Sequence, residues 1–244
     1  MRLVSTLALA ATLLVCAATS AFAQTGSVSL TWDECAGDGG GLLKTFACNT
    51  NAGQDVLVCS FIAPQGVNAL TGVEASIQII LCGQASWWEL RNAGACRGTA
   101  MSLLLTPSDN ATACADPWQG QALGGTSYSL QYNGNYDYSI GQLNVVVGIP
   151  AAAAIALTEG SEYHAFRLAF NHQKAVGTTT CTGCANTAAL YPYQFRLTQL
   201  QAQDTIPITA VPNGAAAWQS PGATACIPDP VQNKTWGAVK SLYR

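Results

Sequence analysis

Charge is scarce in this 244-residue chain: 9% of its residues are Asp, Glu, Lys or Arg, and the formal net charge is −3. A protein that holds nucleic acid by neutralising phosphates needs a surplus of Lys and Arg, so that class is excluded. Charge-rich disordered tails are excluded too, because 49% of the residues are hydrophobic. Histidine is scarcer still, with His164 and His172 alone. A Ser-His-Asp arrangement would have to use one of these two rings, and no GxSxG nucleophile turn occurs. HExxH, Walker and EF-hand patterns are missing as well. Beyond the N-terminus no stretch reaches the ~20 apolar residues of a membrane span; Val145–Leu157 is too short and contains Pro150.

What is present begins with a leader pattern. Arg2 supplies a positive start, an apolar core runs through Leu7, Leu9, Leu13, Leu14 and Val15, and Ala21-Phe22-Ala23 forms a small-x-small cleavage site. Residues 1–23 are therefore expected to be a cleaved secretory signal, and the protein to be exported to the periplasm, the outer surface or the medium. Lipid attachment at Cys16 fits less well, since it needs a small preceding residue and Val15 is bulky. Cleavage leaves 221 residues with a net charge of −4 and nine cysteines: Cys35, Cys48, Cys59, Cys82, Cys96, Cys114, Cys181, Cys184 and Cys226. Such density in an exported chain predicts disulfides, and the odd count leaves one cysteine unpaired.

The dominant periodicity of the body is two. Val28, Leu30 and Trp32 alternate with Ser29 and Thr31, and His164, Phe166, Leu168 and Phe170 form an apolar set expected to face a core. Further strands are predicted over Val56–Ile62, Val73–Cys82, Trp87–Arg91, Met101–Leu105, Ser127–Tyr132, Gln142–Ile149, Tyr193–Leu200 and Ile206–Val211. Turn clusters such as Asn133-Gly134-Asn135 and Pro212-Asn213-Gly214 separate them. The expected fold is all-β, an antiparallel β-sandwich of about ten strands over residues 24–227, stapled by disulfides. Helix is expected only over Ala151–Ala156 and in the tail, Thr235–Tyr243, and Pro228 and Pro230 mark the start of a separate tail at 228–244.

Sequence proximity favours Cys35 with Cys48, Cys96 with Cys114 and Cys59 with Cys82, leaving Cys181, Cys184 and Cys226 to supply one bond and the odd thiol. Connectivity cannot be deduced from spacing, so these pairings are expectations. Cys181-Thr182-Gly183-Cys184 is the single CxxC. Redox chemistry would want a helix N-terminus after the first cysteine, and zinc would want two further ligands, with His164 and His172 the candidates. A structural knuckle, or bonds to other cysteines, is the reading preferred here, and no metal or cofactor is expected.

Aromatic and amide side chains give the candidate binding surface. An extended Trp87-Trp88 would point one ring outward. Tyr132, Tyr136 and Tyr138 cluster with Asn133 and Asn135, and Trp118 with Gln119 and Gln121. Flat rings and amides suit a glycan or protein contact, although strand tyrosines also pack structurally. Thirteen carboxylates would allow a glycosidase pair, which a sequence alone does not single out.

The run Glu162-Tyr163-His164-Ala165-Phe166, with His172-Gln173-Lys174-Ala175-Val176-Gly177-Thr178 and the CxxC, resembles a group of uncharacterised exported proteins of Gram-negative bacteria. Thr31-Trp32-Asp33-Glu34-Cys35, Phe46-Ala47-Cys48-Asn49-Thr50-Asn51 and Asn92-Ala93-Gly94-Ala95-Cys96 extend the resemblance over most of the mature chain. That group often carries a third cysteine just after the CxxC, where this chain has Ala188 and Ala189. It brings no activity. The tail from Asn233 to Arg244 is similar to tails recurring on exported proteins of such bacteria; Trp236, Val239 and Tyr243 share a helical face beside Lys240, as a sorting or docking segment would require. The expected protein is a non-enzymatic surface, adhesive or scaffold module for a glycan or protein ligand. The competing expectation is a secreted glycan hydrolase.

Overall fold

Alternating side chains sort this chain into two layers. The computed structural model describes residues 26–91, 94–135, 137–201 and 205–220; the leader, the tail and Tyr136 lie outside them. Eleven strands are present: β1 (Ser27–Trp32), β2 (Leu43–Lys44), β3 (Gln54–Ile62), β4 (Leu70–Cys82), β5 (Met101–Leu104), β6 (Leu123–Asn133), β7 (Tyr138–Gly148), β8 (Glu162–Asn171), β9 (Ala188–Gln199), β10 (Thr205–Ile208) and β11 (Ala216–Trp218). A four-stranded sheet runs β1-β3-β8-β5, and a seven-stranded sheet runs β2-β11-β9-β4-β7-β6 with β10 beside β9. All pairs are antiparallel except β11 with β2. The protein is an all-β sandwich, with no α-helix among the described residues.

The inward sets of both sheets meet in one core. Leu57, Cys59, Phe61, Leu168 and Phe170 from the small sheet face Ile77, Ile79, Leu81, Leu143, Val145 and Leu197 from the large one. One end is filled by aromatic rings. Trp87 stacks on Trp218 at 5.2 Å, Trp88 meets Trp218 edge-on at 5.8 Å, and Trp32 lies 5.8 Å from Trp218. The buried Arg97 guanidinium caps this group 3.3 Å over the Trp87 ring and donates to the carbonyls of Trp87 and Asn171. Burial pulls its pKa down to about 9.

Several expectations fail for local reasons. Trp87 and Trp88 lie on a 3-10 turn, Ser86–Trp88, not a strand, so both rings turn inward and neither is exposed. Ala151–Ala156 supplies only the 3-10 turn Ala151–Ala153, because six residues cannot offset helix nucleation. The β8 alternation breaks at Ala165, where a bulge opposite Cys59 and Ser60 inserts one residue. Phe166, Leu168 and Phe170 stay inward, while His164 moves to the outer face with Glu162.

The bonds are Cys35–Cys114, Cys48–Cys184 and Cys96–Cys181, correcting the pairings expected from proximity. Cys82 is also disulfide-bonded. Among the described cysteines the free thiol is Cys59, sealed in the core with its pKa driven up by burial. Pairing follows spatial layers: Cys35 and Cys114 both lie outside the small sheet, whereas Cys59 faces inward. The CxxC splits between two partners, and Gly183 permits this with φ +89°, where a Cβ would lie 2.5 Å from that of Ala85.

Cys35–Cys114 holds a roof over the outer face of the small sheet. The roof consists of the 3-10 turn Ala36–Asp38 and the segment 106–118. Asp38 accepts from Thr112 and Ala113, Glu34 from Ser108, and Glu162 from the amides of Ala36 and Gly37. Beneath it Val58, Ser60 and His164 are buried. Replacing Cys35 and Cys114 together by alanine is expected to cost about 3 kcal/mol, read by urea unfolding, with amide exchange rising first in 106–116. Unchanged exchange there would sink this account of the roof.

Candidate functional site

With the outer face of the small sheet roofed, the outer face of the large sheet is the broad surface left to solvent among the described residues. Along β7, Gln142, Asn144 and Val146 point outward and are exposed; along β6, Ser127, Ser129 and Gln131 are; along β9, Gln194 and Arg196 are. Glu74 is the outward acid of β4. Pro192 explains a further feature. It interrupts regular pairing, and a register shift between Ser76 and Ile77 leaves Tyr193 as the extra residue, 70% exposed, next to the half-buried Tyr191.

The β6–β7 hairpin closes this face at one end. Asn133 pairs with Tyr138 across the turn, and the Asn133 side chain accepts from the Asn135 amide, the arrangement of an Asx turn. Gln131, Tyr132, Asn133, Asn135, Tyr138 and Ile140 line an open depression of about 390 Å³. Tyr132 also borders a second depression of about 310 Å³ with Gln84, Glu89 and Leu130. Its hydroxyl donates to Asp137 Oδ1 at 3.0 Å, and this bond raises its pKa. Tyr128 instead turns inward, its hydroxyl bonded to the Trp88 carbonyl and its ring over Gly141, where a Cβ would collide.

The predicted aromatics therefore divide. Tyr132 and Tyr138 meet at the hairpin with Asn133 and Asn135, Tyr136 lies outside the described residues, and Trp87, Trp88 and Trp118 are core. The Trp118 indole donates to the Ala165 carbonyl at 2.8 Å. Tyr191 and Tyr193 were missed because they read as ordinary strand residues; the proline between them was the available sign of a bulge. The tail candidates Trp236, Val239, Lys240 and Tyr243 lie outside the described residues.

Neither histidine has a ring nitrogen free for proton transfer at a surface. His172 Nε2 lies 2.8 Å from Asp55 Oδ2 and Nδ1 lies 2.8 Å from the Ala52 carbonyl. Both ring nitrogens are thus committed to oxygens of the scaffold. Lys44 reaches Asp55 at 3.2 Å and Asp33 at 2.8 Å, and Phe46 stacks on His172 at 3.7 Å. Burial opposes the Lys44 charge, but the two carboxylates prevail and raise its pKa. His164 is wholly buried with both nitrogens unpartnered; desolvation and the nearby Arg167 pull its pKa down to about 3.

Seven of the described carboxylates are committed to the scaffold. Glu34, Asp38 and Glu162 hold the roof, Asp116 caps Trp118, Glu89 accepts from Cys96, and Asp33 and Asp55 share Lys44. Cys35, Cys114 and Glu162 bring potential ligand atoms within 4.8 Å of one another. The two sulfurs are bonded to each other, however, and Glu162 already accepts from Ala36, Gly37 and Ser60.

No protein-family model and no curated protein matches the chain. Among solved structures it is similar to the sixth cohesin of scaffoldin B from Acetivibrio cellulolyticus, solved with a mutant Cel5 dockerin, at 8% identity and a TM-score of 0.35 over 79% of this chain and 96% of that one. It is also similar to the second type II cohesin module of the ScaA scaffoldin of the same organism, at 9% identity and a TM-score of 0.34 over 77% and 92%. The sandwich itself is established by the strand pairing above.

Proposed function

We propose that this is an exported, non-enzymatic binding module that presents the outer face of its large sheet, with the hairpin at its end, to a neutral glycan at the cell surface. The observation that carries this reading is the asymmetry of the two outer faces: one is roofed and disulfide-locked, the other is left open and lined with tyrosines, amides and hydroxyls. Tyr138 and Tyr193, outward on β7 and β9, are separated by two strands and about six residues, roughly 20 Å, which fits an extended ligand better than a small molecule in a pocket. Sugar rings offer apolar faces to tyrosine and hydroxyls to amides. The few charges on this face, Glu74 and Arg196, favour a neutral ligand. Hydrolysis finds less support, since the acids named above hold the fold together.

Replacing Tyr138 and Tyr193 by alanine tests the proposal. Tyr193 is exposed and Tyr138 half-buried at the rim of the sheet, so the melting temperature should fall by no more than about 4 °C. Retention in gels containing neutral polysaccharides, and binding on a glycan array, should fall at least tenfold in the double variant. Unchanged retention, capture of a protein ligand instead, or release of reducing sugar by the wild-type protein would each overturn it.

A further inference from the structure

The edge of a sheet carries unpaired amides and carbonyls, and monomeric proteins blunt it with short strands, proline, charge or a covering segment. Four strand edges of this sandwich are blunted in that way. Along β1 the amides of Val28 and Trp32 donate to the carbonyls of Ala210 and Gly41. β2 is two residues long and carries Lys44, β10 contains Pro207, and β5 has four residues. The edge formed by β6 is different. Its eleven residues, Leu123–Asn133, include no proline and no charged side chain, and β7 is its only strand neighbour among the described residues.

The N-terminal part of β6 is covered from the small sheet. At Gly124 a Cβ would lie 3.0 Å from the Leu103 side chain and 3.3 Å from that of Leu105. From Ser127 to Asn133, by contrast, no other described segment hydrogen-bonds the backbone at the outer edge. On the side of the strand that Tyr128 turns inward, Leu130 is half-buried and Tyr132 is 46% exposed. Seven residues, about 23 Å of strand, are therefore open to pairing.

The order of side chains along this stretch selects the partner. Tyr128 and Tyr132 stand two residues either side of Leu130, with Ser129 and Gln131 between them and Ser127 and Asn133 outside. The strand thus presents the same kinds of residue in either direction. An antiparallel copy centred on Leu130 sets Tyr128 opposite Tyr132, Ser129 opposite Gln131 and Ser127 opposite Asn133, as the isologous contact of a two-fold axis requires. Aromatic pairs of this kind stabilise neighbouring strands, and no like charges meet. We propose that β6 pairs with β6 of a second copy of this chain, antiparallel about Leu130, so that two large sheets become one and their outer faces lie side by side. This pairing is independent of the glycan reading, because no ligand takes part in it.

Sedimentation velocity on the full oxidised protein, from about 1 to 100 μM, tests it. A reversible monomer–dimer equilibrium with dimer dominant at the upper end is expected, as befits a small interface. Ser129 and Gln131 are exposed on the outer face, so changing them spares the core. Ser129→Lys with Gln131→Lys sets like charges opposite each other at two places and should weaken the dimer about tenfold, whereas Ser129→Lys with Gln131→Glu sets opposite charges there and should restore it. Amide exchange in 127–133 should slow as the protein concentration rises. A wild-type monomer throughout, a dimer indifferent to the double lysine variant, or failure of the Lys and Glu pair to restore association would each overturn the proposal. So would protection of 127–133 that is independent of concentration, since the edge would then be covered within one chain.

Discussion

Replacing Trp218 by alanine is expected to destabilise the protein by about 4 kcal/mol, lowering the melting temperature by roughly 8–16 °C. Trp218 contacts Trp32, Phe46, Trp87 and Trp88 and is wholly buried, so truncation opens a cavity bounded by rings from both layers. These neighbours cannot collapse inward easily. Trp32 is tied to the Ala217 carbonyl, Trp87 lies beneath Arg97, and the loop carrying Phe46 is held by Cys48–Cys184. The indole also donates to the Cys184 carbonyl at 2.9 Å, but Gln219 donates to the same oxygen, so the main loss is packing. Calorimetry of the single variant measures the effect; a shift under about 4 °C would show that the ring cluster is dispensable.

Exchange of His164 for leucine should abolish much of the acid sensitivity of the fold. The ring is buried and neutral, with a pKa near 3 in the folded state against 6.5 for an unperturbed imidazole. The unfolded chain therefore binds one more proton between those values, and stability falls as pH drops from about 6.5 towards 3. The deficit reaches about 3 kcal/mol at pH 4.5 and about 4 kcal/mol near pH 3. Carboxylates such as Asp38, whose pKa is lowered by Thr112 and Ala113, add to acid lability in both proteins and cancel in the comparison. Urea unfolding at pH 7.5 and 4.5 should show the H164L variant losing about 3 kcal/mol less than wild type. Equal losses would place the burden of acid unfolding elsewhere. At pH 7.5 the leucine should be tolerated, since it removes two unpartnered nitrogens from beneath the roof.

These two residues mark where local pattern stops informing. Strand-forming stretches were legible because alternation is a property of neighbouring residues: Val73–Cys82 falls within β4, and Gln142–Ile149 overlaps β7 as far as Gly148. His164 was misassigned because the bulge at Ala165 depends on how β8 meets β3, which no window of β8 contains. Trp87 and Trp88 were misplaced for a similar reason: a ring cluster assembled from four distant segments overrides the extended preference of the pair. At the candidate site, the Asn133–Asn135 turn and its tyrosines were readable from composition. The openness of that face was not, because it follows from a roof whose halves lie 74 to 79 residues apart in sequence.

The disulfides also dictate a timetable. The span 35–114 crosses both 48–184 and 96–181, and 96–181 lies inside 48–184, so none of them closes a self-contained unit early in the chain. In any process that delivers the chain N-terminus first, Cys35 and Cys48 both wait, and Cys35 can meet its partner only after Cys114 emerges. Cys48 and Cys96 must remain reduced, or pair wrongly and be reshuffled, until about three quarters of the residues are available. Oxidation too early favours the neighbouring pair Cys35 and Cys48, and a disulfide isomerase that undoes such a bond would then limit the yield of native protein.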